Sequence, residues 1–223
     1  VSLWADFHDN VDRRVIHKWK HYFPIYERHF AKFVNSSVTM LEIGCGDGGS
    51  LQMWKRYLGP HAQIVGIDIE PRCKSFEDDQ IAVRIGSQAD PAFLDSIVAE
   101  FGPFDIILDD GSHMMPHVAA SFEHLYAGVS KNGVYLIEDL HTAYWPEFGG
   151  GLRRPDSFIE IAKNLIDDLN ADHAREALAP SVFTQTTHSM CFYDSIIVFE
   201  RGTYTKKWAP RIGREEQKRK KLF

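Results

Sequence analysis

Residues 40–50 read MLEIGCGDGGS, and this stretch decides the fold. An apolar run stops at a glycine-dense turn, and an amphipathic segment carrying Leu51, Met53, Trp54, Tyr57 and Leu58 follows. A strand, a tight loop and a helix in that order open an α/β nucleotide-binding sheet. Gly44, Gly46 and Gly49 also satisfy the G-x-G-x-x-G spacing of dinucleotide sites, a weak pattern on its own. The loop carries two acids, Glu42 and Asp47. A backbone nest for pyrophosphate gains nothing from carboxylates beside it. A cationic ligand does. S-adenosylmethionine carries a sulfonium and an ammonium, so the loop suits it better than NAD. A glycine turn that binds nothing is the plain alternative.

Outward from this loop, apolar runs alternate with amphipathic ones. Strands are expected at Val38–Ile43, Ile64–Ile69, Ile81–Ile85, Phe104–Leu108 and Val134–Ile137, with helices at Pro91–Phe101 and Pro116–Ala127. This βαβα rhythm implies a doubly wound, mostly parallel sheet. Residues 11–34 are aromatic and helical in texture, with Pro24 as a break or kink. Residues 139–155 read as a long loop, a candidate substrate lid. Asp156–Asn170 reads as a helix capped near Asp156 or Ser157. Val182–Cys191 and Ser195–Glu200 read as an antiparallel pair closing the sheet, which brings the strands to seven.

Ligands bind beyond the carboxyl ends of parallel strands. Asp68 ends the second strand, a little over twenty residues past the glycine turn, where a carboxylate can accept ribose hydroxyls; Ile69 and Glu70 follow it. Gly86-Ser87-Gln88 ends the third, on the edge that borders an adenine, and Gln88 offers both a donor and an acceptor. A helix cap at Asp68 and a plain turn at 86–88 are the alternatives.

The fourth strand delivers Asp109, Asp110 and His113, and the fifth Glu138 and Asp139. Four carboxylates on two neighbouring strand ends are costly without compensation. A hard divalent cation resolves the conflict, because Mg²⁺ takes carboxylate oxygens and keeps water or substrate oxygens. Asp110, Glu138 and Asp139 are the candidate ligands, with Asp109 turned to the cofactor; caps and solvated acids are the other reading. His113 is the candidate general base, since an ordinary imidazole titrates near ~6.5. A zinc pair of His113 and His117 lacks the intervening Glu of a zincin, and Pro116 interrupts it.

Three segments, LEIGCGDGGSLQMWK, FGPFDIILDDGSHMMPHV and NGVYLIEDLHTAYWPEFGGG, together resemble the Mg²⁺-dependent sugar O-methyltransferases that modify macrolide deoxysugars and other glycosides. The resemblance runs from about residue 15 to 200. It implies a class I methyltransferase fold, S-adenosylmethionine and Mg²⁺ as cofactors, and a saccharide or glycoside acceptor. On that footing Asp110, Glu138 and Asp139 match the metal ligands, His113 the base and Asp68 the ribose acid. Glu42, Gly44 and Gly46 fall in the methionine-side loop, and Gln88 lies near the adenine. The family often has an aspartate where this sequence has Ser87. The segment His17-Lys18-Trp19 with His21, Tyr22 and Tyr26 is similar to one that covers the active site, although His17 stands where an acid is usual. Tyr22, His141, Tyr144 and Trp145 are the candidate substrate contacts, because aromatic faces stack on sugar rings. The larger macrolide enzymes carry an additional N-terminal domain with no counterpart here, so their oligomer is not carried over, although a homo-oligomer stays open. A catechol O-methyltransferase and an NAD-dependent oxidoreductase are the alternative activities.

The chain has 223 residues, 44% of them hydrophobic, enough for one buried core. The expected division is a helical cap at 1–36, a methyltransferase domain at 37–202 and a basic tail at 203–223. A formal charge of −6 argues against a nucleic-acid binder, and Lys218–Lys221 is a local exception best read as a solvated tail. Three cysteines without paired spacing suggest reduced thiols and a cytoplasmic protein. No run suits a membrane span or a signal peptide.

Overall fold

The computed structural model describes residues 2–11, 13–205, 207–210 and 212–213. The basic run Lys218–Lys221 lies outside the described residues. A seven-stranded sheet forms the centre. Its strands are β1 (Thr39–Ile43), β2 (Gln63–Asp68), β3 (Ile81–Ile85), β4 (Phe104–Asp109), β5 (Val129–Ile137), β6 (Thr187–Tyr193) and β7 (Ile196–Arg201). The order across the sheet is β3-β2-β1-β4-β5-β7-β6. The first five strands are parallel, and β7 runs antiparallel to both β5 and β6. The chain direction across the sheet reverses between β1 and β4, so a crevice opens at their carboxyl ends.

Two apolar layers sandwich the sheet. On one face α1 (Leu3–His8), α2 (Phe23–Phe30) and α3 (Gly49–Leu58) pack Leu3, Phe23, Tyr26, Phe30 and Trp54 against Met40, Leu108, Leu136 and Val198. On the other, α4 (Pro91–Phe101), α5 (Met115–Leu125) and α6 (Phe158–Leu169) pack Leu94, Phe122 and Phe158 against Leu41, Ile107, Ile137 and Phe199. Alternate strand residues serve alternate faces, as the two-residue period requires. Asp90 caps α4 by accepting from the backbone N–H groups of Ala92 and Phe93, with Pro91 opening the helix.

Several local expectations need correction. Pro24 does not break a helix; it sits in the first turn of α2, where its missing N–H has no partner to lose. Residues 182–186 form a short helix, α7 (Val182–Thr186), closed by a capping box between Ser181 and Thr184, and the strand begins only at Thr187. β5 starts at Val129, five residues earlier than its apolar pattern suggests, because Val129 pairs with Phe104 across an irregularity in the ladder. Residues 139–155 contain two 3₁₀ turns, Leu140–Tyr144 and Pro146–Phe148, and Leu140, Thr142 and Ala143 are buried. Among the described residues no helix is long and apolar enough to cross a membrane. The three cysteines are free thiols.

Leu108 is fully buried in the central strand β4. Leu108→Ala is expected to lower the urea-unfolding free energy by about 2–5 kcal/mol. Ile166→Ala, on the half-open face of α6, should stay within about 0.5 kcal/mol of the parent.

Candidate active site

Strand register builds the site. Ile43 pairs with Asp109, and Asp109 with Ile137, so Gly44, Asp110 and Glu138 follow in one row. Glu42 lies one row below, beside Leu108, and its side chain shares a sheet face with those of Asp110 and Glu138. Asp109 therefore points the opposite way. It is buried under α5, accepting from Ser121 Oγ and from Gln88 Nε2 at 3.1 Å. The expectation that Asp109 faces the cofactor is corrected by this alternation. Burial lifts its carboxyl to about 6, although Ser121 and Gln88 donate to it.

Glu42, Asp110 and Glu138 converge on Lys18, which reaches in from the N-terminal segment with a side chain only 2% exposed. Lys18 Nζ donates to Asp110 Oδ2 and to Glu138 Oε1 at 2.7 Å, and lies 3.7 Å from Glu42 Oε1. Tyr26 donates to the other oxygen of Glu138. Glu42 accepts from Ser50 Oγ at 2.8 Å and Trp54 Nε1 at 3.1 Å, so it is a buried brace and does not line the cavity. Burial pushes Glu138 up to about 8; Asp110 adds to the shift, and Lys18 and Tyr26 oppose it in part. Burial raises Asp110 to about 6 against the pull of Lys18. Burial alone would lower the Lys18 ammonium, but Asp110, Glu138 and Glu42 more than reverse this.

Asp139 adopts a left-handed backbone, φ 57°, which turns its side chain toward the crevice mouth. Its Oδ1 accepts from Tyr22 at 2.6 Å, and its Oδ2 lies 3.5 Å from His113 Nε2. His113 Nε2 is also 3.9 Å from Asp110 Oδ1. Ligand atoms of Asp110, His113 and Asp139 fall within 4.8 Å of one another. Glu138 stays behind this trio, both oxygens engaged. His113 precedes α5 and His117 lies on it, bonded to Ser112 Oγ at 2.9 Å, so the two do not form an i,i+4 pair on one helix.

The trio borders a cavity of about 520 Å³. Gly44, Gly46, Asp68, Ile69, Ser87 and Gln88 line it together with Asp110, His113 and Asp139. Gly44, at φ +90°, lets β1's loop touch β4's: a Cβ there would lie 2.2 Å from the Asp110 carbonyl oxygen. Asp68 shapes the loop, its Oδ2 accepting from Cys45 N at 2.8 Å and Gly46 N at 3.3 Å, and its Oδ1 from Glu70 N at 2.9 Å. A carboxylate has about four acceptor positions, so one on Oδ1 is left for a hydroxyl. Gln88 is already committed at both ends, to Asp109 and to Ser112 N at 2.6 Å, so it offers the cavity its apolar stem.

Outside the trio, Trp19, His141 and Trp145 form an aromatic rim, with His141 5.8 Å from Trp19 and 4.9 Å from Trp145 between ring centroids. Trp145 and Tyr144 are about half exposed, and neither they nor Trp19 and His141 are among the residues that line the cavity. Tyr22 is corrected: it is fully buried and serves Asp139, leaving no face for a substrate. Sequence reasoning did not single out Lys18, Tyr26, Ser50 or Trp54 as parts of the acid cluster. Lys18 and Tyr26 stand in the segment whose resemblance placed it over the active site, but no local pattern links them to the acids.

No protein-family model matches the chain. Over 230 residues it is 36% identical to demethylmacrocin O-methyltransferase of Streptomyces fradiae, an alignment covering 95% of this chain and 58% of that enzyme. It superposes with a TM-score of 0.81 on the MycE methyltransferase of the mycinamycin biosynthetic pathway, solved with Mg, SAH and mycinamycin VI, at 33% identity over 95% of this chain and 57% of that one. The chain belongs to this family of sugar O-methyltransferases. A further member, the 8-demethyl-8-(2-methoxy-alpha-L-rhamnosyl)-tetracenomycin-C 3'-O-methyltransferase of Streptomyces olivaceus, is 36% identical over 86% of this chain and 52% of its own length. The chain thus spans a little over half the length of the curated relatives it matches. All three relatives are methyltransferases, so the dinucleotide reading of Gly44, Gly46 and Gly49 is set aside for this sugar O-methyltransferase homologue.

Glu138 and Asp110 bind protons more tightly when folded than their ordinary values of 4.5 and 3.8 allow. The folded state therefore holds more protons than the unfolded one, and these groups make stability fall as pH rises from about 4.5 through about 8. In chelator, Glu138→Gln should flatten that decline. Thermal midpoints compared at about pH 5 and about pH 8 check it, and a slope equal to the parent's would refute it.

Proposed function

We propose that this chain is an S-adenosylmethionine-dependent O-methyltransferase that works with a divalent cation and methylates a sugar hydroxyl of a saccharide or glycoside. The observation that carries the reading is one cavity in which the glycine loop and Asp68 adjoin the trio Asp110, His113 and Asp139. The donor set fits a hard cation, since two carboxylates present one oxygen each toward a common point. Asp110 and Asp139 would hold it, with Glu138 behind them. Bound there, Mg²⁺ would supply Lewis-acid polarisation of an acceptor hydroxyl.

The remaining work falls to the chain's own residues. Asp68 accepts the ribose, and the Gly44–Gly46 backbone borders the methionine end of the donor. His113 Nε2 takes the hydroxyl proton as the methyl leaves sulfur for oxygen, converting the sulfonium to a thioether. Asp139 Oδ2, 3.5 Å away, orients the imidazole. Trp19, Tyr144 and Trp145 offer ring faces to the sugar, and their bulk keeps water from the reacting oxygen. The rhamnosyl group named as part of the substrate of the Streptomyces olivaceus relative supports a deoxysugar glycoside as acceptor.

Calorimetric titration with S-adenosylhomocysteine, followed by methyl transfer to a panel of deoxysugar glycosides and a catechol, tests the reading. Binding and glycoside methylation are expected. A chain that binds no S-adenosylhomocysteine, or prefers the catechol, would overturn it. His113→Ala should keep S-adenosylhomocysteine affinity and lose about 10²–10⁴-fold in turnover. Near-parental turnover would remove His113 from the chemistry. EDTA should abolish transfer and added Mg²⁺ restore it, whereas full activity in chelator would remove the cation.

A further inference from the structure

The acids at the crevice are sorted oxygen by oxygen. Asp110 gives Oδ2 to Lys18 and turns Oδ1 toward His113. Asp139 gives Oδ1 to Tyr22 and turns Oδ2 toward His113. Glu138 has neither oxygen free, one bonded to Lys18 and the other to Tyr26. Every inward oxygen is thus taken by a donor from residues 18–26, before the first strand, and the outward pair is left at the cavity.

The same segment covers the donor side of that cavity. Val15, Ile16, His17 and Lys18 line it, in a stretch without regular secondary structure. The backbone crosses the start of α3 so closely that a Cβ on Gly49 would lie 2.1 Å from the Val15 carbonyl oxygen and 2.6 Å from that of Arg14. Lys18 ends this cover, and its ammonium is the point where the cover meets the acids.

We propose that Lys18 is a positioning residue that holds the inward oxygens of Asp110 and Glu138, leaves Asp110 Oδ1 and Asp139 Oδ2 as the pair that receives a divalent cation, and ties the 15–18 cover to that pair. The inference rests on the function proposed above and adds a coupling to it. Cation binding and donor binding strengthen each other, because one side chain orders both. Loss of the ammonium frees the carboxylates to swing and releases the cover in the same event. Partners that orient ligand groups in this way are typically worth about 10–100-fold in metal affinity.

The test uses the full chain, with Mn²⁺ followed by electron paramagnetic resonance and S-adenosylhomocysteine by calorimetry. The parent should bind each ligand more tightly when the other is present. Lys18→Met should weaken Mn²⁺ by about 10–100-fold, weaken S-adenosylhomocysteine, and abolish the mutual enhancement. Trypsin should cut after Arg13 and Arg14 faster in the variant, with ligands no longer protective. Lys18→Cys treated with 2-bromoethylamine, which rebuilds a lysine-like ammonium, should recover both affinities, with the treated parent as control. Unchanged affinities in Lys18→Met overturn the inference, and so does tighter Mn²⁺ binding, which would make Lys18 a competitor of the cation. Should Lys18→Met not fold, Lys18→Gln is read by the same outcomes. A parent that binds neither ligand sinks the proposed function as well; a parent that binds both, with an indifferent variant, sinks only this inference.

Discussion

Three carboxylates, Glu42, Asp110 and Glu138, leave one sheet face within reach of a single ammonium, and the rest of the site depends on that contact. Like charges at such separations repel strongly where water is scarce. Parallel register imposes the crowding, since it sets the ends of β1, β4 and β5 in adjoining rows. The compensation comes from outside the sheet. Lys18 brings the opposite charge, and Tyr26, Trp54 and Ser50 bring hydrogen-bond donors. The N-terminal segment is thereby part of the site's electrostatics as well as of the apolar core, where Leu3, Phe23 and Phe30 lie.

That arrangement divides the work between two faces of one sheet. Glu42, Asp110 and Glu138 share the sheet face of Leu108 by register and gather on Lys18, whereas Asp109 stiffens the floor through Ser121 and Gln88 on the other face. Gln88 in turn holds the Asp110–Ser112 loop through Ser112 N. The loops after β1, β3 and β4 are consequently braced against one another before any ligand arrives. A preformed cradle lowers the ordering cost of binding.

The aromatic cluster beside the acids sits on different material. The cofactor loop and the acids stand on strand ends, fixed by the sheet ladder. The aromatic rim of Trp19, His141 and Trp145 stands on turns outside it. Turns change without disturbing the core, so these aromatic residues are free to vary while the strand-end acids stay fixed.

The fold class, the glycine loop, the strand-end acids and His113 were legible in the sequence because each is a local pattern. An apolar run, a turn and an amphipathic helix declare themselves within about a dozen residues. Facing and partnership were not legible. Asp109 and Asp110 are neighbours in sequence, and only the register of β4 between β1 and β5 decides which one sees the cavity. Lys18 meets Asp110 across 92 residues and Glu138 across 120, and Tyr22 meets Asp139 across 117, separations that carry no periodic signature. Burial of Tyr22 and Glu42, and the helix at 182–186 where a strand was expected, likewise follow from what packs on them. Local hydrophobic period sets the elements; which charges share a low-dielectric pocket is settled only when distant segments close over it.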